Sequence, residues 1–389
     1  MGVYSNSVAM TQFRVSGDIP ANEQFRWYSE KFSLMGFRSI ENGSEQLSEG
    51  WTRTDQPDDP AFEVPGDFWR DDYILVSIRC DQRKIPSSLF RFHLSREETA
   101  FLAGRPDLHR TPKGKMQEMK EMVHVRLMAK TLPVPSTTDL VWNTGNGILT
   151  IFSCSGKTLE RFETLFRKTF ESFHLVPVHP FARAEMLLEG KSLELLHKAN
   201  RANSDSVAAL IAENRWIGED FQLWLLYRSL NGEGDFRISL PGRFSGGEPF
   251  SAWIDERILL QGGSDDGGVQ KVSVSGSQDS YSEAITSLRG GKTIKSSTIC
   301  LEKGEDIWKL TLRGDTFDFA SFKAPAIRIE RDDSVDAGRE REAAFYERML
   351  VVEQGLQLFD SLFAAFLQER VNDSWSERAS CIHKWLETS

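Results

Sequence analysis

The chain has 389 residues, 40% apolar and 27% charged, with a formal net charge of −10. These are globular values, sufficient for two or three cored domains, and no run approaches the roughly 18–20 apolar residues of a membrane span. Cys80, Cys154, Cys300 and Cys381 form no C-x-x-C pair and no zinc set, so reduced thiols in a cytoplasmic protein are expected. The first 15 residues lack a basic stretch followed by an apolar one, and no secretory signal is expected.

Residues 11–16 predict a short strand. Phe25, Tyr28, Phe32 and Met35 recur at helical spacing and stop at Gly36. Residues 43–67 are rich in Gly and Pro and read as loop. Asp72 to Cys80 alternates, with Ile74, Val76, Ile78 and Cys80 on one face, and is read as a strand. The period then changes to that of two helices, about 89–102 and 115–132, joined by a basic link from Arg105 to Gly114. Pro133 and Pro135 stop the second. Strands at 139–142 and 148–153 flank Thr144-Gly145-Asn146-Gly147, a hairpin signal. A helix lined by Phe162, Leu165, Phe166 and Phe170 and a strand-like stretch from His174 to Pro180 follow.

In the second half, helices are predicted over about 181–200, 207–214 and 281–288. Strands are predicted near 236–240, 252–260, 269–274, 294–301, 308–312 and 316–322. The bulky run Phe221 to Tyr227 fits strand or helix. A long helix covers about 339–371. Its residues Phe345, Met349, Val352, Leu356, Phe359, Phe363 and Phe366 form a heptad seam, suited to packing on its own sheet or to self-association. The expected architecture is α+β, with a first lobe at 1–84 and 133–180 and a helical finger insertion at 85–132. A second sheet-bearing lobe covers 181–325 and a C-terminal helical region 326–389.

Charge is segregated. Residues 81–131 hold eleven Lys and Arg against six Asp and Glu, a net of +5, so the remainder of the chain is −15. A basic segment inside an acidic chain suits a polyanion, although basic helix faces are often merely solvated. Arg105, Arg110, Lys113 and Lys115 sit at the finger tip with His109, and Lys120 and Arg126 continue along its second helix. A second group, Lys271, Arg289, Lys292 and Lys295, surrounds Gly290-Gly291. Both groups suit sequence-independent phosphate contacts.

Other chemistry finds little support in the residues. Ser155-Gly156-Lys157-Thr158 lacks the upstream glycine of a phosphate loop, having Ile151 there, and Gly291-Lys292-Thr293 has Thr286 at that place. No H-E-x-x-H or G-x-S-x-G occurs. Asp55, Asp58 and Asp59, with Asp71-Asp72 and Asp332-Asp333, are the carboxylate groups that a metal-dependent nuclease, the alternative reading, would draw on.

The chain resembles the bacterial recombination-associated RdgC family. The resemblance runs over about residues 25–370 with insertions in the middle. It rests on Met35-Gly36-Phe37, Gly50-Trp51, the strand 74–79, Lys84-Ile85-Pro86-Ser87 and Glu121-Met122-Val123-His124. Trp142 with Asn146-Gly147 and His174-Leu175-Val176-Pro177 complete that block. Trp308-Lys309-Leu310, Phe317-Asp318-Phe319 and the long helix form a second. The resemblance implies a ring-shaped homodimer with a basic interior that encircles double- and single-stranded DNA, without catalysis or cofactor. It implies a cytoplasmic, nucleoid-associated protein, with no membrane partner, that restrains RecA activity in recombination and fork repair. It also implies that subunits meet near the end of the finger, at Lys130, Thr131 and Leu132. There the family carries an aromatic and this chain does not. A third reading is an interaction protein that acts on RecA without DNA.

Overall fold

The computed structural model describes residues 2–17, 24–43, 45–105, 107–263, 268–276, 281–327 and 337–388. β1 (Ser7–Ser16) precedes α1 (Gln24–Leu34), β2 (Leu47–Thr52), β3 (Trp69–Arg70) and β4 (Tyr73–Arg83). The helical insertion is α2 (Ser87–Ala103) and α3 (Lys113–Met128), followed by β5 (Pro133–Asn143), β6 (Ile148–Ile151), α4 (Gly156–Thr169) and β7 (His174–Pro177). Next come α5 (Pro180–Leu187), α6 (Gly190–Ala199), α7 (Val207–Glu213), α8 (Trp216–Leu230), β8 (Asp235–Arg237), β9 (Pro249–Gly263) and β10 (Val269–Ser275). The chain ends with α9 (Ser282–Arg289), β11 (Thr293–Lys303), β12 (Asp306–Arg313), β13 (Phe319–Lys323), α10 (Ala337–Arg370) and α11 (Trp375–Thr388). The class is mixed α and β, with eleven α-helices among the described residues and strands paired antiparallel.

Two compact units emerge, one of Gly17–Gly145 with Arg161–Phe173, the other of Met1–Ser16, Asn146–Glu160 and His174–Ser389. They are called here the finger unit and the α10 unit.

In the finger unit β4 is the central strand, with β5 on one side and β2 on the other. Sequence alternation assigns β4 two unlike faces, yet nearly every residue of it is buried, polar Ser77 and Asp81 included. A centre strand covered on both faces loses the exposed face that alternation assumes. Below it lies an aromatic core. The ring of Phe32 on α1 lies 5.3 Å from Trp51, 5.4 Å from Phe62, 5.6 Å from Phe68 and 5.4 Å from Phe170. Such pairs add about 0.5–1.5 kcal/mol each beyond burial itself. Trp51 Nε1 donates to Thr169 Oγ1 at 2.7 Å, which satisfies the buried indole.

The Met35-Gly36-Phe37 and Gly50-Trp51 pieces meet in space. Trp51 N donates to the Met35 carbonyl and Phe37 N to the Trp51 carbonyl. Gly50 lies so close to the Phe37 backbone that a Cβ there would be 2.5 Å from its Cα and N. The glycine is required by that approach.

In the α10 unit the strands follow the order β10-β9-β11-β12-β13-β1, with β6 and β7 both on β1 and β8 on β9. α8 packs on β9 and β11, and α10 on β11, α8 and α5. The run from Phe221 to Tyr227 is helix, inside α8. The span 181–200 is two helices, because Leu188 is extended and Gly190 is left-handed at φ +53°. α11 falls within the expected C-terminal helical region as a second helix beyond the long one; its one buried residue is Ile382, too few for an apolar stripe in the sequence.

The heptad seam of α10 is spent inside its own unit. Phe359 lies 5.1 Å from Phe319, and Phe363 lies 4.8 Å from Phe317 and 5.2 Å from Phe221. Leu358, Leu362 and Leu367 are buried too, so the helix is wrapped on more than one side. It contains an 18-residue window of mean hydropathy 1.3, long and apolar enough to cross a membrane by composition. The expectation that no stretch approaches a span is corrected to that extent. Trp308 of β12 donates to the Val351 carbonyl at 2.8 Å and rests on Gly355, where a Cβ would lie 2.5 Å from the indole. This gives the Trp308-Lys309-Leu310 piece its structural reason.

Candidate nucleic-acid interface

The finger leaves β4 and returns into β5. Ser87 opens α2 directly after Pro86, and Pro112 precedes α3, both suited to the first helical turn. α3 buries Met119, Val123 and Leu127 at spacings of four, while α2 has no buried residue. Glu97 of α2 and Arg126 of α3 bridge the two helices at 2.8 Å. Arg126 is therefore a strut inside the finger as well as a cation.

The tip holds the freer charges. Arg105 is exposed and stacks over the Phe101 ring at 4.6 Å. Arg110, Lys113 and Lys120 are exposed and have no acidic partner among the described residues. Lys115 is bridged to Glu118 at 2.7 Å, a surface pair that a phosphate can displace at small cost. Arg83, counted in the basic segment, is buried and donates to the carbonyls of Ile40, Glu41, Gly43, Glu45 and Thr131. It anchors the finger and faces no ligand. Lys130 and Leu132 are exposed; Thr131 is half-buried, its hydroxyl donating to the Leu127 carbonyl at 2.7 Å.

The second basic group lies in the α10 unit. Lys271 is exposed on β10 opposite Gln261, which pairs on its other side with Thr293. Lys292 lies over Gly262, so Lys271 and Lys292 share one end of the sheet. Arg289 Nε donates to the Leu386 carbonyl of α11. Lys295 differs: its Nζ is 2.6 Å from Glu219 and 3.4 Å from Asp315, and its charge is balanced within the fold.

The carboxylate groups are mostly engaged by arginines. Arg53 reaches Asp55 at 3.2 Å, Asp59 at 3.3 Å and Asp67 at 2.8 Å. Arg79 pairs with Asp81 at 2.8 Å and with Asp58, and lies 4.3 Å over the Phe37 ring. The Asp81 hydrogen bond, with Asp58 adding to it, raises the Arg79 pKa above its usual range against the opposing effect of burial. Asp71 and Asp72 form the tight turn from β3 to β4, with Asp71 left-handed at φ +49°. Asp332-Asp333 lies outside the described residues. Among the described residues no group of three or more His, Cys, Asp or Glu could hold a metal ion. All four cysteines are free thiols; burial first of all pushes Cys154 and Cys300 up to about 12. Ser155-Gly156-Lys157-Thr158 is the start of α4, with Lys157 exposed.

Sequence reasoning placed the cations on the tip and α3 and passed over α2. The exposed residues of α2 are Ser87, Ser88, Leu89, Arg91, Phe92, Ser95, Arg96, Thr99, Ala100 and Ala103, with no acid among them. Reading charge at the helical period finds this face: Glu97 lies on the opposite side of the helix, and Glu98, seven residues on from Arg91, stands half-buried at the edge.

The finger and its anchor fall within a match to a known family. Residues 12–189 match the family model described as "Putative exonuclease, RdgC". No curated protein matches the chain. Over residues 12–189, less than half of its length, the chain is similar to the RdgC family.

Proposed function

We propose that this protein binds DNA without sequence preference, through phosphate contacts, and acts by binding rather than by catalysis. The observation that carries the reading is the finger, where Arg110 and Lys113 at the tip and Lys120 along α3 are exposed and have no acidic partner among the described residues, in a chain of net charge −10. Free cations on an exposed tip displace counterions from the DNA backbone and carry no base-reading code. On this reading two copies close a ring around double- or single-stranded DNA. The finger base supplies one meeting place, through Lys130, Thr131 and Leu132. The exposed apolar side chains of Leu132 and Val134 support a protein contact there. The ring would act on the nucleoid, in the cytoplasm, and restrain RecA at sites of recombination and fork repair.

A mobility-shift titration across salt tests the reading. Binding should be equal for unrelated sequences. Log K should fall linearly with log salt, by about 0.9 per duplex phosphate contacted. No shift at low salt would end the proposal. The family description supports a second reading, an exonuclease. Digestion of end-labelled DNA that needs Mg²⁺ and is lost in Asp58→Asn or Asp59→Asn would replace the first reading with it.

A further inference from the structure

α2 is a 17-residue helix with no buried residue. Its outward face has a definite composition. Ser88, Phe92, Ser95, Thr99 and Ala103 recur at spacings of three and four and so share one side, with Arg91 flanking that side on one edge and Arg96 on the other. Phe92 is 64% exposed. Thr99 Oγ1 is bonded to the Ser95 carbonyl of its own helix. Arg91 and Arg96 have no acidic partner among the described residues. The nearest acids in sequence are half-buried, and Glu97 is taken by Arg126.

An aromatic ring left in water between two arginines without an acidic partner, on a helix side with hydroxyls and a single half-buried acid, Glu98, at its edge, has the chemistry of a single-strand platform. Guanidinium groups and hydroxyls take phosphates, and an exposed ring stacks an unpaired base. A duplex keeps its bases stacked on one another and offers that ring no face. We infer that the outward face of α2 binds single-stranded nucleic acid, with Phe92 stacking a base and Arg91 and Arg96 contacting the flanking phosphates. The inference rests on the DNA-binding reading above and assigns it a single-strand-selective contact separate from the tip lysines. The charge of the face decides against the other occupant of an exposed apolar residue, a second copy of this chain. Two α2 faces would bring four arginines together against only the half-buried Glu98 at the edge of each.

Fluorescence anisotropy with the full chain tests this, using labelled oligo-dT and a duplex of equal length. Phe92→Ala should weaken oligo-dT binding about 5- to 10-fold and leave the duplex unchanged. Phe92→Trp should retain affinity and gain an emission quench on oligo-dT that wild type lacks. Arg91→Glu with Arg96→Glu should weaken oligo-dT and flatten its salt dependence by about 0.7 per charge removed. Phe92 is exposed, so these changes leave the fold intact, which circular dichroism verifies. Equal oligo-dT affinity of wild type and Phe92→Ala, with duplex binding intact, overturns the inference and spares the function reading. A halved mass of Phe92→Ala in light scattering, with both DNA affinities falling together, makes the face a contact between copies and also overturns it. No binding of either DNA by wild type overturns both readings.

Discussion

The guanidinium of Arg83 donates to the backbone carbonyl of Thr131, so the strand that enters the finger grips the residue that leaves it. The same guanidinium holds four carbonyls of the segment 40–45. A buried cation held by five backbone carbonyls fixes three chain segments at one point. Arg83→Lys keeps the charge and loses the planar fork. Unfolding in urea should show a loss of about 2–4 kcal/mol. Amide exchange should speed up at 40–45 and 131. A variant as stable as wild type would show that the finger is held elsewhere.

Lys113→Glu with Lys115→Glu should weaken every DNA sequence alike and reduce the salt slope by about two charges' worth. Lys295→Ala should leave DNA affinity almost unchanged, because Glu219 and Asp315 already balance that lysine. Mobility shifts across salt compare the two. A larger effect from Lys295→Ala would move the phosphate contacts into the α10 unit.

Gly50→Ala and Gly114→Ala should differ in sign. At Gly50 the added carbon meets the Phe37 backbone at 2.5 Å, and at Gly114 it meets nothing within 4 Å. Thermal unfolding should show a loss of about 1–3 kcal/mol or more at Gly50. At Gly114, within α3, a gain of about 0.5–1 kcal/mol is expected. Equal melting temperatures would contradict the close approach of β2 to the chain at Phe37.

His179 is 1% exposed and caps α5, its Nδ1 accepting from Ala182 N, and burial lowers its pKa to about 4 from 6.5. The unfolded chain therefore binds the proton more readily than the folded one. Stability from this group is full above pH 6.5 and declines as pH falls toward 4, by up to about 1.4 kcal/mol per unit. His179→Asn keeps a capping side chain and removes the titration. Urea midpoints measured from pH 7.5 to 4.5 should fall less steeply in the variant; parallel profiles would assign the acid sensitivity to other groups.

Much of the order of elements was legible because periodicity survives without neighbours. α10 shows this best, since Phe345 to Phe366 repeat along one side of a helix wherever it packs. The seam left its partner open, and contacts with Phe221, Phe317 and Phe319 decide for the chain's own core. The alternation of β4 gave the strand but not its double burial, which depends on what lies above and below. Arg83 and Lys113 were indistinguishable as basic residues of one segment. One proved to be an internal fastener and the other a free surface charge, because burial and carbonyl geometry are properties of the folded neighbourhood.

The sequence by itself determined the excess of positive charge between β4 and β5, the two helices that carry it, and their separation from an acidic remainder. These are local or additive quantities: a charge count needs no coordinates, and a 3.6-residue repeat is set by backbone geometry. Only the tertiary structure decided which charges remain available. It neutralised Lys295, placed Arg126 in a bridge, buried Arg83, and left Arg91, Phe92 and Arg96 on an open face. Availability depends on what each side chain meets across the fold, and those partners lie 20 to 76 residues away along the chain.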